Sequence, residues 1–217
     1  MKIIFYSAQT GNRGSISSIK EQSIDKFEYW FAHDNHHEAI DNKGWNYINI
    51  ANRYINLTPN KKHKLIKMIP RLLFNDFDYV IWLDCKIYPN KDFYKYCLDI
   101  IDKEEPNWLV CKNLNNRNLY QELNYSIEFK NLDQDSATNL IPFYRDREFF
   151  STDTCWMIRK NTDLNHELGH QWFKFTDKCF TGVCRDQLTL PLCLDKNYLN
   201  MNHSIHTLER LSYLGPS

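Results

Sequence analysis

The sequence has no excess of either charge, because Lys plus Arg and Asp plus Glu each number 27 in 217 residues. Nucleic-acid binding needs a basic surface, so we expect no nucleic-acid partner. No run of about 18 apolar residues is present, which argues against a membrane-spanning segment. The GxGxxG and P-loop patterns are also absent, so a Rossmann dehydrogenase or a P-loop NTPase has no direct support. The apolar stretch at the start is too short for a signal peptide and predicts a first strand instead.

Cysteine is present but shows no pairing pattern. The seven cysteines are an odd number, contain no CxxC pair and mostly lie inside apolar stretches. Free cysteine behaves in such stretches as a small hydrophobic residue. This usage predicts a cytoplasmic protein with reduced thiols and no disulfide framework.

Hydrophobic patterning predicts a single α/β domain over residues 1–217. Aromatic residues make up 15% of the chain, which excludes a disordered protein. Apolar periodicity predicts strands at 2–6, 27–32, 45–50, 78–84, 108–111 and 154–159. It predicts helices at 61–74, with a kink at Pro70, and at 93–101, 118–129, 164–175 and 186–194, and no regular element over 130–152. This alternation is typical of a mostly parallel sheet of about six strands that is flanked by helices.

Short polar clusters follow three of the predicted strands: Ser7–Thr10, His33–Asn35 and Asp84–Lys86. Ligands of open α/β sheets bind beyond the carboxyl ends of the strands, so these clusters predict a ligand site. Asp84 follows a near-continuous apolar strand, where an unpaired carboxylate costs free energy. It is therefore either a contact to a metal or nucleotide-sugar or a cap of the next turn.

Two predicted helices carry charged residues with two interpretations each. Lys64, Lys67 and Arg71 fall on one face of the helix at 61–74. They form either a cationic wall for a diphosphate or a solvated helix surface. Asp186 opens the last helix, where it is either a cap of the helix N-terminus or a general base at a cleft.

The segment HELGH at 166–170 matches the HExxH pattern of zinc proteases, with His166 and His170 as ligands and Glu167 as base. A further Glu ligand is hard to find, because the only later Glu is Glu209. A helical wheel predicts a buried apolar stripe on the side opposite the histidines: Leu164, Leu168, Trp172 and Phe175. We therefore expect a structural helix here and keep a zinc hydrolase as an alternative function.

Three segments carry a resemblance to known proteins: 67–74 (KMIPRLLF), 78–86 (DYVIWLDCK) and 184–190 (CRDQLTL). Together they resemble a plant and microbial glycosyltransferase-like family that includes mucilage- and pectin-related proteins. The segment 113–122 is a weaker fourth match through Arg117, Tyr120 and Glu122. The chain is also similar to small glycosyltransferases of large DNA viruses that glycosylate capsid proteins, which for a viral enzyme implies the host cytoplasm.

The resemblance implies a GT-A fold, in which a Rossmann-like sheet binds a nucleotide-sugar, usually with UDP as the carrier. Matching positions imply that Ser7, Ala8 and Gln9 hold the nucleotide base. They also imply that Asp34 contacts the base or ribose. Lys67 corresponds to the family lysine on the helix that precedes the strand ending at Asp84.

The resemblance also implies catalytic residues and a reaction. Asp186 stands at the place of the catalytic base of inverting GT-A enzymes, and Asp153 would face the donor or acceptor sugar. The implied function is transfer of a sugar from a UDP-hexose to a hydroxyl of a glycan or glycoprotein, with inversion. A second alternative is a nucleotide-sugar or carbohydrate-binding module that kept the fold and lost turnover.

GT-A enzymes usually carry a D-x-D motif whose second Asp holds Mn²⁺ or Mg²⁺ on the diphosphate. Here the pattern is Asp84-Cys85-Lys86, so the second carboxylate is missing. Either Lys86 supplies part of the metal's charge, or Asp84 holds the metal together with His203 or His206. The missing carboxylate favours the binding-module alternative.

Overall fold

The computed structural model describes residues 1–11, 26–34, 44–85, 87–112, 117–144, 151–182, 184–194, 198–201, 203 and 212–214. The strands are β1 (Ile3–Gln9), β2 (Phe27–His33), β3 (Asn46–Asn49), β4 (Tyr79–Leu83), β5 (Ile87–Pro89), β6 (Trp108–Lys112), β7 (Thr152–Lys160), β8 (Leu199–Asn200) and β9 (Ser212–Leu214). The helices are α1 (Pro59–Met68), α2 (Lys91–Glu104), α3 (Leu119–Phe129), α4 (Gln134–Tyr144), α5 (Asp163–Cys179) and α6 (Leu190–Cys193), with 3-10 turns at Pro70–Leu72 and Asp186–Leu188. Of these helices, none is long and apolar enough to cross a membrane.

Seven strands form one sheet in the order β3-β2-β1-β4-β7-β6-β8. Strand β7 runs antiparallel to its neighbours β4 and β6, and the other pairs in the sheet are parallel. This confirms the predicted α/β class with a mostly parallel sheet, which has seven strands instead of about six. Because β7 is reversed, its first residues lie at the edge where β1 and β4 end. Strands β5 and β9 form a separate antiparallel pair.

The sheet is covered by an apolar core on each face. Phe5 and Phe93 belong to the core on the α2 side, whereas Tyr6, Trp82 and Trp172 belong to the core on the side of α1 and α5. Successive side chains of a strand point to opposite faces, so consecutive residues of β1 supply both cores. Strand β4 is buried at every position, which explains its near-continuous apolar sequence.

Helix α1 is shorter than the sequence predicts. It begins at Pro59 and ends at Met68, and Pro70 then opens a 3-10 turn that ends at Leu72. Proline has no N–H to donate to the preceding turn of a helix. The prediction of one kinked helix over 61–74 is therefore wrong in its second half, because the proline ends the helix.

Helix α4 lies within the stretch 130–152, for which the sequence predicts no regular element. The carboxylate of Asp133 accepts hydrogen bonds from the backbone N–H and the hydroxyl of Ser136, both at 2.8 Å, which is the contact pattern of a helix cap. The buried side of α4 contains Ser136 and Ala137 beside Leu140. The prediction that 130–152 contains no regular element is wrong. Ser136 and Ala137 interrupt the helical spacing of apolar residues on the buried side of α4, so the sequence pattern does not show the helix.

Helix α5 turns a face to the core that differs in part from the one the helical wheel predicts. Asn165 and Gly169 are buried beside Trp172, whereas Leu164 is 55% exposed. A Cβ atom on Gly169 would lie 2.3 Å from the carbonyl oxygen of Met68, so a side chain there would prevent this approach of α5 to α1. The predicted stripe is right for Trp172, and Leu168 and Phe175 pack partly buried against the core. It is wrong for Leu164, because α5 approaches α1 through the small and polar residues beside Trp172.

Candidate active site

Asp84 stands directly after β4, at the carboxyl end of a buried strand. Its Oδ1 atom accepts hydrogen bonds from the indole Nε1 of Trp82 at 2.8 Å and from Nζ of Lys67 at 3.3 Å. The Asp84 side chain is 25% exposed, so a ligand at this edge of the sheet can reach the carboxylate.

Asp186 lies between two lysines of α1. Its Oδ1 is 2.6 Å from Nζ of Lys64, and its Oδ2 is 2.8 Å from Nζ of Lys67. The hydroxyl of Thr154, near the start of β7, donates a hydrogen bond to Oδ2 at 2.9 Å. Both carboxylate oxygens are therefore held, although Asp186 is nearly inaccessible to solvent.

Lys67 connects the two carboxylates. Its ammonium contacts Asp84 and Asp186 and donates a hydrogen bond to the Thr154 hydroxyl at 3.2 Å, and its side chain is only 3% exposed. The interpretation of the lysine stripe as a solvated surface is therefore wrong for this residue. Lys64 joins the same network, whereas Arg71 forms an ion pair with Asp163 on α5. The structure thus brings together Lys67, Asp84 and Asp186.

The opposite charges keep these groups ionised. Burial alone would raise the pKa of Asp186, but Lys64 and Lys67 outweigh it and hold the pKa well below the ordinary value. Burial likewise acts to lower the pKa of Lys67, while Asp186 and Asp84 together raise it. At neutral pH Lys67 is therefore an ammonium group and Asp186 a carboxylate.

His63 is a member of this site that the sequence interpretation missed. Its ring lies edge-on to the ring of Trp82, with centroids 5.4 Å apart. Burial and the nearby Lys64 ammonium lower the pKa of His63 to about 3, so the imidazole is neutral at physiological pH. The sequence did contain a signal for this placement of His63, because His63 and Lys67 are four residues apart and therefore share one face of a helix.

The 3-10 turn that carries Asp186 is shorter than the predicted helix over 186–194. The turn ends at Leu188, and α6 begins at Leu190 with Pro191 in its first turn. Proline cannot donate the hydrogen bond that a continuous helix requires, so the prediction of one helix is wrong.

The carboxyl end of α1 is fixed by a buried arginine. Arg159, on β7, is 2% exposed and donates to the carbonyl oxygens of Met68, at 2.9 Å, and of Lys67. The hydroxyl of Tyr6 donates to the same Lys67 carbonyl at 3.0 Å. A cation is favourable at the carboxyl end of a helix, where carbonyls lack partners within the helix. These contacts fix the backbone of Lys67, and the sequence interpretation had placed no function on Arg159.

Glu122, from the weaker fourth segment of the resemblance, contacts Gln187, the residue that follows Asp186. Gln187 Nε2 donates to Oε1 of Glu122 at 2.8 Å, and Arg117 donates to Oε2 at 3.1 Å. Glu122 is buried on α3. The start of α3 therefore positions the turn that carries Asp186.

The loops after β1 and β2 also meet at this edge. The backbone N–H of Gly11 donates to Oδ1 of Asp34 at 2.8 Å, and Gly11 has a φ of 71°, which favours glycine. Ser7, Ala8 and Gln9 are the last residues of β1 and not loop residues as predicted, because β1 continues its pairing with β2 as far as Gln9. Ser7 and Ala8 are buried, and Gln9 is half-buried. Within the described ranges the hydroxyl of Ser7 has no hydrogen-bond partner.

Asp153 lies at the same edge of the sheet but has different neighbours from Asp186. Its Oδ1 accepts a hydrogen bond from the backbone N–H of Cys155 at 2.9 Å, and it is paired in register with Cys111. Burial and the Asp153 carboxylate raise the pKa values of both thiols. Both cysteines belong to the core on the α2 side.

The remaining predicted metal ligands do not gather around Asp84 in the described part of the chain. His203 directs Nδ1 to the Tyr96 hydroxyl and Nε2 to Glu104 Oε1 at 3.1 Å. Lys86 and His206 lie outside the described residues, and Cys85 is half-buried against the core on the α2 side. No group of three His, Cys, Asp or Glu side chains suited to a metal occurs among the described residues. Mn²⁺ or Mg²⁺ prefers several oxygen ligands, so these residues do not fit a metal site, and Lys67 already contacts Asp84.

The HELGH segment lies on α5. The Nε2 atoms of His166 and His170 are 3.3 Å apart, while Glu167 accepts a hydrogen bond from Gln171 at 3.4 Å on the surface. Over the described ranges no third ligand joins the two histidines. A catalytic zinc needs three protein ligands, so these residues do not form the centre that a zinc hydrolase requires.

Comparison with known proteins gives a fold and no family. No family model matches the chain, and no curated protein matches it in sequence. The apo structure of mouse xyloside xylosyltransferase 1 is similar over 100% of this chain and 94% of its own, with a TM-score of 0.54 and 7% identity. S. aureus TarS in complex with UDP is similar over 54% of this chain and 37% of its own, with a TM-score of 0.34 and 19% identity.

The chain has the GT-A fold. Similarity along the whole length of the xylosyltransferase, together with the mostly parallel sheet, confirms the predicted fold class. At 7% identity this likeness concerns the fold alone, and the partial overlap with TarS adds no argument. Since one fold can host many reactions, the chemistry must be argued from the site.

Proposed function

We propose that this protein is a glycosyltransferase that moves a sugar, in our prediction a hexose, from a UDP-sugar to a hydroxyl of a glycan or glycoprotein. The observation that carries the proposal is the buried network of Lys64, Lys67, Asp84 and Asp186 at the edge of the sheet where β4 ends. Open α/β sheets bind their ligands at that edge. The GT-A fold and the resemblance of the same segments to the plant and microbial glycosyltransferase-like family also support it.

In this proposal the two lysines stabilise the departing diphosphate. Negative charge develops on the diphosphate as the bond to the sugar breaks, and fixed cations are most effective where such charge develops. Lys67 is held rigidly by its two carboxylate partners and by the fixed end of α1. Lys64 is 13% exposed and is therefore the more accessible of the two cations.

Asp186 is the proposed base that takes the proton of the acceptor hydroxyl, which gives inversion at the sugar carbon. Two ion pairs make its carboxylate a weak base in the free protein. A bound diphosphate attracts the same ammonium groups and so weakens their hold on Asp186. The carboxylate therefore becomes a stronger base when the donor is present. Asp153 is the next candidate for this role.

The uridine end of the donor is assigned to the last residues of β1 and to the loops after β1 and β2. The Ser7 hydroxyl is buried without a partner among the described residues, and such a group is costly unless something binds it. Asp34 is tied to the adjacent Gly11, so both loops form one surface. Ala8 and Gln9 complete the predicted contact.

Thermal unfolding with UDP, GDP, CMP and TDP, each with EDTA or with Mn²⁺, tests the donor assignment. UDP at about 100 times its Kd should stabilise the protein by about 2.7 kcal/mol, and the other nucleotides by less. Equal shifts for all four nucleotides would contradict a specific UDP site. The EDTA and Mn²⁺ arms decide whether binding needs the metal.

A binding module with the same fold makes the same nucleotide contacts, so binding alone does not distinguish it from an enzyme. Release of UDP from UDP-glucose, UDP-galactose or UDP-xylose over time does distinguish them. We expect steady UDP release with at least one donor, and its absence with all of them would favour the module.

A further inference from the structure

A cavity of about 280 Å³ lies beside Lys64, between the first half of α1 and the last half of α5. Helix α1 starts next to the end of β1, because the hydroxyl of Thr10 donates to the carbonyl oxygen of Pro59. The cavity therefore opens at the same edge of the sheet as the charged network. Lys64 belongs to both, since its ammonium is 2.6 Å from Asp186.

The cavity has a volume that suits a ligand smaller than a nucleotide-sugar. Sites for small molecules span about 300–1,000 Å³, so this cavity, which lies just below that range, is too small for a nucleotide-sugar. A single six-membered sugar ring is a ligand of suitable size. The donor's nucleotide is assigned to the end of β1 at Ser7 and to the loop at Asp34, which do not line this cavity.

The lining has the mixed chemistry that a neutral sugar requires. Phe173 and Phe180 offer apolar ring surface for the C–H groups of a sugar, while Asn60 and the ion pair between Lys61 and Asp177 offer donors and acceptors for hydroxyls. Lys61 Nζ and Asp177 Oδ1 are 2.5 Å apart and join α1 to α5 at the cavity.

Both lysines of the lining already have a carboxylate partner, although Asp186 itself lies outside the lining. Lys61 is paired with Asp177, and Lys64 is paired with Asp186, so neither cation is left for an anionic ligand before the donor binds. A phosphate group or an acidic sugar would have to compete with these carboxylates. A neutral polyol makes hydrogen bonds to the same groups without that cost.

We propose that this cavity binds a neutral pyranose of the acceptor beside Lys64. The inference rests on the proposed glycosyl transfer and adds to it the chemical class of the acceptor. Lys64 lines the cavity and contacts Asp186, so the acceptor ring and the proposed base have this ammonium as a shared neighbour.

Saturation-transfer NMR with the methyl glycosides of glucose, galactose, mannose, xylose, fucose and rhamnose tests the proposal on the full chain. We expect at least one glycoside to receive saturation. Asp177→Ala should weaken its binding about fivefold, the effect of one lost hydrogen bond, and Asn60→Ala should act in the same direction.

Asp163→Ala is the matched control, because Asp163 also lies on α5 and forms an ion pair at the other end of the helix, with Arg71. It should leave glycoside binding unchanged. No saturation with any glycoside, or equal weakening by Asp177→Ala and Asp163→Ala, would overturn the acceptor assignment. UDP binding is measured on the same samples. If the parent protein does not bind UDP, the proposed function is contradicted. If it binds UDP but no glycoside, only this inference is contradicted.

Discussion

Among the ion pairs that connect the segment 59–72 to the rest of the molecule, those of Lys67 and Arg71 differ most in their exposure to water. Lys67, with its two carboxylate partners, is almost completely buried at the proposed active site. Arg71 pairs with Asp163, whose side chain is 95% exposed. The sequence places both cations on one predicted helix face. The difference shows that burial and the number of partners, and not the position on a helix, separate the cation of the buried network from the cation at the surface.

The largest stability effect is expected for Lys67→Met. This variant leaves Asp84 and Asp186 without their shared cation, and removing one partner of a buried pair costs about 3–5 kcal/mol. Urea unfolding should show a lower midpoint with an unchanged slope. A loss below about 1 kcal/mol, the range of surface pairs, would contradict the buried network.

The buried network should also limit stability at both ends of the pH range. The pKa of Asp186 is lowered on folding, so its contribution is present above the ordinary value of 3.8 and is lost as pH falls below it. The pKa of Lys67 is raised on folding, so its contribution is present below the ordinary value of 10.5 and is lost as pH rises through the higher folded value. Unfolding free energies measured from pH 2 to pH 11 should therefore stay level between pH 3.8 and pH 10.5 and decrease outside that interval. Asp186→Asn should remove much of the acid limb, and an unchanged limb would contradict this account.

An intermediate effect is expected for Gly169→Ala, which touches neither set of charges. The new Cβ atom would meet the carbonyl oxygen of Met68 at 2.3 Å, so α5 must move away from α1. Overpacking of this kind costs about 1–3 kcal/mol. Because the shift occurs next to Lys67, UDP binding should weaken as well. Equal stability and UDP affinity in the variant and the parent would show that this contact does not position the site.

The smallest effect is expected for Arg71→Met, the counterpart of Lys67→Met at the exposed pair. Surface ion pairs contribute about 0–1 kcal/mol, so urea unfolding should change within that range. UDP binding should not change. A loss as large as that of Lys67→Met would remove the contrast between the two regions.

The parts of the site that the sequence predicted are those that depend on local pattern. Asp84 was found because a near-continuous apolar run ends in an acid, and Lys67 because it shares a helix face with Lys64. Asp186 was named as a cap or a base from its place in the chain, and the resemblance assigned it the base. The pattern could not show that these residues meet, because a contact between positions 67 and 186 depends on the folded sheet.

The parts that were missed depend on tertiary contacts. The sequence predicts Arg159 only as the last residue of a strand. The folded structure brings its guanidinium to the carbonyl oxygen of Met68, which is 91 positions away. Gly169 lies inside the HELGH segment, where the pattern drew attention to histidines, although the glycine makes the close contact with α1. Helix α4 was missed because Ser136 and Ala137 stand beside Leu140 and Tyr144 on its buried side and interrupt the apolar spacing.

The central claim is that Asp186 serves as the base while the lysines beside it hold the diphosphate. The most direct test compares Asp186→Asn with the parent in steady-state UDP release from the UDP-sugar that the parent turns over fastest. The account predicts that kcat falls by about 10²–10⁴, the worth of a positioned general base, while the Kd for UDP is not weakened. If the variant keeps more than about a tenth of the parent rate, well outside that range, Asp186 is not the base.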